Sequence, residues 1–404
     1  MRCKDMKNFF NCHAKQNFFC NFVVMRIIRH IIYAAATLLL TTSCSDRTTI
    51  STDDFTEKIF TPQHASGFEI RGDGEGNTLI AVSRPWQGDG EMPEQKLLIL
   101  RSGDAKAAAE YDGQTITGAA RRVVCMSSSH VAMLDAVDCV DRIAGVSGKR
   151  YITNLHIAGS DKVCDVGYDP NLDFERIVSL RPDIVLLYGV AGENTATTAK
   201  LRELGIPYLY IGDYAEQTPL GKAEWLVAVS EIVGCREHAT QVFDTIEARY
   251  TALRDSIAQA ARRRPSVMLN TPYQDVWYMP SDDSYMVRLI EDAGGRYIYS
   301  GENPSGGSKA IGLEEAYMLV TDADLWLNTG QCTDMEELRQ STPKFVSAGV
   351  FRSGRIYNNN RRRTAAGGND FWESAVVHPD VVLRDLATII GGGEEPLYYY
   401  QRLE

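Results

Sequence analysis

The chain has 404 residues, 44% of them hydrophobic and 24% charged, and its 42 Lys and Arg against 53 Asp and Glu give a formal net charge of -11. That length exceeds one ordinary hydrophobic core and suits two lobes. The surplus of acid argues against nucleic acid as a partner, because phosphate backbones are bound by surplus Lys and Arg.

At the start of the chain, Met25-Arg26 and Arg29-His30 precede the apolar run Ile31 to Leu40, and Thr42-Ser43 place small residues before Cys44. This is the arrangement of a lipoprotein signal peptide, in which the cysteine becomes the lipid-bearing N-terminus. The apolar run is well short of the roughly 20 residues that span a bilayer. Residues 1–43 therefore read as leader and signal, with translation starting at Met25. Residues 44–66, polar and rich in Ser and Thr, read as a tether from a lipid anchor at Cys44. Beyond Cys44 the cysteines are Cys125, Cys139, Cys164, Cys235 and Cys332. They are odd in number and include no C-x-x-C pair, so no zinc knuckle and at most one or two disulfides are encoded.

Residues 67–118 read as a small β extension. Phe68 to Arg71 and Thr78 to Val82 flank a glycine-rich hairpin turn, Gly72 to Asn77, whose acids lack EF-hand spacing, and Lys96 to Arg101 adds a strand. The first α/β lobe, 119–236, opens with the strand Arg122 to Met126. Ser127-Ser128-Ser129-His130 then turns into a helix from His130 to Val137, its N–H groups facing a cleft. Arg142 to Val146 marks the next strand. In Val166 to Gly189, Phe174, Ile177, Val178 and Arg181 fall at helical spacing and Pro182 stops the helix. The apolar run Ile184 to Leu187 then suits a parallel strand covered on both faces, and it ends at Tyr188, where an open α/β sheet holds ligands. Ala196 to Leu204 and Lys222 to Val233 are helices closed by Gly205 and Gly234, with Tyr208 to Ile211 a strand between them.

From 237 to 264 one apolar face recurs without a breaker, carried by Ala239, Val242, Phe243, Ile246, Tyr250, Leu253 and Ile257, until Pro265. Such a helix is roughly 40 Å long and, lying midway between two similar halves, reads as their connection. The second lobe, 265–404, has strands at Ser266 to Asn270, Val276 to Met279, Leu325 to Asn328 and Arg355 to Tyr357. Asp282-Asp283-Ser284 caps one helix, Leu313-Glu314-Glu315 opens another, and Pro379 opens the last. The fold class is thus α/β: two similar lobes joined by one long helix, with a small N-terminal β extension.

The order RVVCMSSSH, IAGVSG, VGYDPNLDFERIVSLRPDIVL, LRELGIPYLYI and SYMVRLIEDAGGRYIY resembles the periplasmic binding proteins that deliver ferric siderophores, haem or cobalamin to ABC importers, over about residues 120–392. The resemblance implies a rigid interlobe helix and a ligand in a shallow cleft between the lobes, which may carry iron or cobalt while the protein itself needs no cofactor. It further implies pocket aromatics at Tyr168, Tyr188 and Trp372. It also implies a permease dimer as partner, docked by one acid on each lobe, Glu175 on the first and Glu314 or Glu315 on the second. The SSSH, YNNNRR and GGNDFWES stretches look similar to a subgroup of less settled ligand.

Flat metal complexes need aromatic faces and a few orienting polar groups. Besides Tyr168, Tyr188 and Trp372, the second-lobe pair Trp277-Tyr278 offers Trp277 to the ligand, with Tyr278 left to the core. Ser128 and His130 at the first turn, Asp370 beside Trp372, and Arg361, able to clamp carboxylates or catecholates, complete the candidate set. A zinc or manganese receptor would need three or four converging His, Asp or Glu ligands, for which the histidines are too few. A hydrolase would need a nucleophile and base in reach, and Ser129 next to His130 on a helix start does not supply that geometry. The residues thus favour a binding protein over an enzyme and leave siderophore, haem and cobalamin open.

Overall fold

The computed structural model describes residues 51–88, 92–101, 111, 113–168, 171–190, 192–260, 263–300 and 307–404. Cys44, Met25 and the expected signal lie outside them. Among the described residues no helix is long and apolar enough to cross a membrane.

The extension is a five-stranded sheet in chain order: β1 (Glu57–Phe60), β2 (Phe68–Gly72), β3 (Thr78–Val82), β4 (Gln95–Leu100) and β5 (Gln114–Thr117). β1 lies in the stretch expected to be a tether. The β2–β3 hairpin turns where the glycines are, with Asp73 Oδ1 accepting from the N–H groups of Glu75 and Asn77.

The first lobe follows with β6 (Val123–Cys125), α1 (Ser128–Asp135), β7 (Ile143–Val146), α2 (Leu155–Ala158), β8 (Cys164–Asp165), β9 (Gly167–Tyr168), β10 (Asn171–Leu172), α3 (Phe174–Leu180), β11 (Ile184–Leu187), α4 (Thr195–Glu203), β12 (Tyr208–Tyr210) and α5 (Pro219–Val233). Its main sheet is parallel, in the order β12-β11-β6-β7-β8. The connecting helix α6 (Arg236–Ala260) has 25 residues, roughly 38 Å at 1.5 Å per residue. Its expected apolar face is the one it buries: Ala239, Phe243, Ile246 and Tyr250 are buried, and Val242, Leu253 and Ile257 pack beside them.

The second lobe comprises β13 (Ser266–Leu269), β14 (Val276–Pro280), α7 (Tyr285–Asp292), β15 (Arg296–Tyr297), β16 (Ser308–Gly312), α8 (Leu313–Asp322), β17 (Leu325–Leu327), α9 (Met335–Ser341), α10 (Gly349–Ser353), β18 (Ile356–Asn358), α11 (Pro379–Gly391) and β19 (Gln401–Arg402). Its main sheet runs β15-β13-β17-β18-β19, parallel apart from the β19 edge. The molecule therefore has two similar α/β lobes joined by one long helix. One hydrophobic core nevertheless runs through the extension and both lobes, while a smaller cluster around Val124, Val185 and Tyr208 covers the other face of the first sheet.

α5 is the hub of that core, with every residue but Lys222 buried. Its acids explain how the extension is held. Glu224 accepts the N–H groups of Gln63, His64 and Ala65, and Glu216, just before the helix, accepts those of Ser66 and Gly67 together with Trp225 Nε1. Glu231 pairs with Arg101 and Arg236 and accepts from Thr78. Gln95 and Gln114 of the extension accept the N–H groups of Tyr210 and Tyr208, capping the edge that β12 would otherwise expose.

Candidate functional site

Strand order locates the site before any side chain is considered. In the first sheet the chain adds β7 and β8 on one side of β6, then returns to add β11 and β12 on the other. In the second it adds β15 beside β13, then β17 and β18 on the far side. Each reversal leaves a crevice beyond the carboxyl ends of two neighbouring strands, where open α/β sheets bind ligands. A cavity of about 490 Å³ joins both crevices, lined by Ser127 to Ser129 after β6, Tyr188 after β11, Asn270 after β13 and Asn328 after β17. Both asparagines have left-handed backbones, with φ of 65° and 62°, as strands that must turn sharply at a site require.

Among the expected ligand residues, Ser128, Tyr188 and Trp372 line this cavity. Tyr188 is 40% exposed and Trp372 58%, so neither ring is spent on the core. Ser128 Oγ donates to the Trp372 carbonyl at 3.3 Å, tying the two sides of the cleft together. Tyr168 is also half exposed but is not among the cavity's lining residues, because Asn171 opens no helix there. Asn171-Leu172 instead pairs with Gly167-Tyr168 as a short ribbon, and α3 begins only after its Asp173 cap.

Three expectations are corrected. Trp277 is fully buried, its Nε1 donating to the Leu269 carbonyl and its ring packed on Trp326 and Phe345, whereas Tyr278, next on the pleat, points outward and is 48% exposed. His130 is buried too. The helix starts at Ser128 rather than His130, which turns the imidazole inward, away from the cavity. Burial pushes its pKa down to about 3, against the smaller upward pull of a hydrogen bond to the Leu186 backbone. Arg361 is exposed on the surface and is not part of the cavity lining.

Asp370 serves the framework. Its carboxylate accepts from Arg362 Nε and from Thr153 Oγ1, across from the first lobe. The GGNDFWES stretch is an interlobe clasp. A Cβ on Gly368 would lie 1.9 Å from the Tyr151 carbonyl, so only glycine permits this approach. Glu373 then accepts the N–H groups of Thr153 and Asn154, each at 2.7 Å. The same clasp buries Phe371 and leaves Trp372 facing the cavity. The asparagines of YNNNRR are structural as well: the Asn358 and Asn360 amides donate to the Cys332 carbonyl.

The sequence did not single out several lining residues. Tyr214, 45% exposed, and Tyr285 add aromatic faces, and Gln87 comes from the extension, whose Arg84 carbonyl lies against Gly212. Lys222 is the cavity's cation. Its Nζ donates to the Asp213 carbonyl at 2.7 Å and sits 4.9 Å from the Tyr285 ring centroid and 5.5 Å from that of Tyr214. Burial lowers its pKa, against the opposing pull of Asp213 and Glu216, and burial also raises that of the Asp213 carboxyl. One signal was legible: a lysine in the first turn of α5 opposes the helix dipole, so something other than helix stability placed it there.

Among the described residues no three His, Cys, Asp or Glu side chains come together as a cage for a bare ion. The five described cysteines are free thiols, with the Cys139 and Cys235 sulfurs 2.9 Å apart. Glu175, in the first turn of α3, and Glu314 and Glu315, in the first turn of α8, are all exposed.

Comparison with known proteins agrees with this geometry. A family model described as periplasmic binding protein matches residues 123–357. An uncharacterized lipoprotein of Methanocaldococcus jannaschii is 24% identical over 73% of this chain and 72% of its own length. A periplasmic heme binding protein from Pseudomonas aeruginosa superposes with a TM-score of 0.53 at 18% identity, covering 70% of this chain and 98% of that one. The periplasmic vitamin B12 binding protein of Vibrio cholerae gives 0.50 at 13% identity, over 69% and 99% of the two chains.

Proposed function

The chain belongs to the periplasmic binding protein family, and from that premise we propose that it is the substrate-binding lipoprotein of an ABC importer, capturing an iron complex, ferric siderophore or haem, and delivering it to the permease. The observation that carries this reading is the cavity at both switch points, which presents exposed faces of Tyr188, Tyr214 and Trp372 beside a small set of polar groups. Flat rings over a few orienting donors suit a metal chelate better than a sugar or a bare ion. A corrinoid is the second reading, favoured by the same aromatic faces. The relatives known to bind haem or vitamin B12 share the fold, and their ligands frame the choice.

Titrating the purified protein with haem, a ferric siderophore and cobalamin, read by tryptophan quenching, tests the proposal. Trp225, Trp277 and Trp326 are fully buried, which leaves Trp372 at the cavity and the half-buried Trp86 beside Gln87 to carry the response. Trp372→Ala is expected to weaken the bound ligand about tenfold, a stacked ring contributing about 1 kcal/mol beyond its area. No quenching by any member of the panel would sink the metal-complex reading.

Delivery needs a permease and an anchor. α3 precedes β11 and α8 precedes β17, so both helices start at the carboxyl, cleft-side edge of their sheets, and their first-turn acids Glu175, Glu314 and Glu315 suit docking to arginines of the permease dimer. Lipid on Cys44 would hold the protein at the membrane of the cell envelope, as the lipoprotein name of its archaeal relative supports. Cys44→Ala is expected to release the protein to the soluble fraction with ligand binding intact.

A further inference from the structure

Four helices begin at the cavity wall. Ser128 and Ser129 open α1, Pro219 opens α5, Ser284 directly precedes α7 and its Tyr285, and Pro379 opens α11. Helix N-termini carry partial positive charge, so each directs that end of its dipole at the cavity. Lys222 adds a full charge to that floor, with Tyr214 of the first lobe and Tyr285 of the second beside its ammonium. Among the described residues only the Asp213 carbonyl is hydrogen-bonded to Nζ, which has three hydrogens to give.

Two carboxyl groups border the same floor and pull on Lys222, but among the described residues neither is hydrogen-bonded to its Nζ. Glu216 is turned toward the extension, both oxygens taken by the N–H of Ser66, with further bonds from Gly67 and Trp225. Asp213 is held by Ser129 and by the Tyr214 N–H.

Building on the metal-complex reading above, we propose that the cleft recognises a carboxylate carried on the periphery of the chelate, which binds Lys222 Nζ. The chemical class is an anionic chelate, a porphyrin with acid side chains or a carboxylate siderophore. A complex with an amide periphery, such as a corrinoid, leaves this donor unmatched.

Ferric protoporphyrin IX and its dimethyl ester share ring and metal and differ only in two carboxylates, so they isolate the group in question; ferric citrate supplies a carboxylate chelate without a ring. The wild-type protein is expected to bind the free acid at least tenfold more tightly than the ester. Lys222→Met is expected to erase that preference and to weaken ferric citrate tenfold, while Lys222→Arg keeps most of both. Equal wild-type affinity for acid and ester, a Lys222→Met protein that melts normally and still discriminates, or binding of cobalamin alone would overturn the inference and leave the binding-protein reading standing. Binding of none of haem, ferric citrate, ferric siderophore or cobalamin would overturn the metal-complex reading and this inference with it.

Discussion

His130 shows how little separates a site residue from a core residue. The SSSH turn puts its Cα beside the cleft, but helix α1 begins two residues before the expected start, and the ring turns into the core against the Leu186 backbone. This has a consequence for stability. As pH falls below about 6.5 the unfolded imidazole takes up a proton, whereas the folded one, with its pKa pushed down by burial to about 3, stays neutral. The unfolded state therefore binds more protons in that window, and stability falls with falling pH. Between pH 6.5 and 5 the loss is about 2 kcal/mol from this one group. Urea unfolding at the two pH values measures it, and His130→Phe, which removes the titrating group, is expected to abolish this component. An unchanged acid sensitivity in that variant would assign it to other groups.

At the level of elements, α5 decides what the β extension is. A strand pattern at 67–118 preceding an α/β lobe reads as an appendage, yet Glu216 and Glu224 together accept the N–H groups of residues 63–67, and Trp225 packs on Phe68 with ring centroids 4.8 Å apart. Five successive backbone donors are thus satisfied by two side chains near one helix start. Glu224→Ala leaves three of them without a protein acceptor and is expected to cost about 3 kcal/mol in denaturant unfolding, with Glu224→Gln losing roughly half of that. Because Glu224 does not line the cavity, ligand affinity of the folded variant is expected to stay within about threefold of wild type. A stable Glu224→Ala protein would mean that strand pairing alone secures the extension.

The whole molecule has a connection that resists bending and a core that does not stop at the lobe boundary. α6 is continuous over 25 residues, Tyr250 on it donates to Asp292 of the second lobe at 2.6 Å, and the clasp from Gly368 to Glu373 fastens the second half onto Thr153 and Asn154 of the first. Loop hinges that absorb large φ/ψ changes are replaced here by packed helix and buried hydrogen bonds. Small-angle scattering with and without ligand is expected to show a change in radius of gyration below about 1 Å. A large contraction would show that the clasp opens in solution. The same rigidity fixes the spacing of Glu175 from Glu314 and Glu315, so charge reversal at all three is expected to abolish transport while affinity and melting temperature hold. Normal uptake by that variant would leave these acids as partners of their own helix dipoles.

Local pattern was enough for the parts whose physics is local. The period of apolar residues in α6, the proline stop after α3, the glycine turn between β2 and β3 and the continuous apolar run of β11 each follow from steric and burial rules that act within a few residues, and together they specify two α/β lobes and a connecting helix. The cleft was legible to the extent that strand ends mark it, which is why Tyr188 was found. What a side chain faces depends on register and on partners far along the chain, and here only the tertiary structure decides. One step along a pleat puts Trp277 in the core and Tyr278 outside, and a two-residue shift of a helix start buries His130. Asp370 is claimed by Thr153 from 217 residues away. Lys222 comes to stand between Tyr214 and Tyr285 only because strands separated by the whole of α6 present their carboxyl ends to one another.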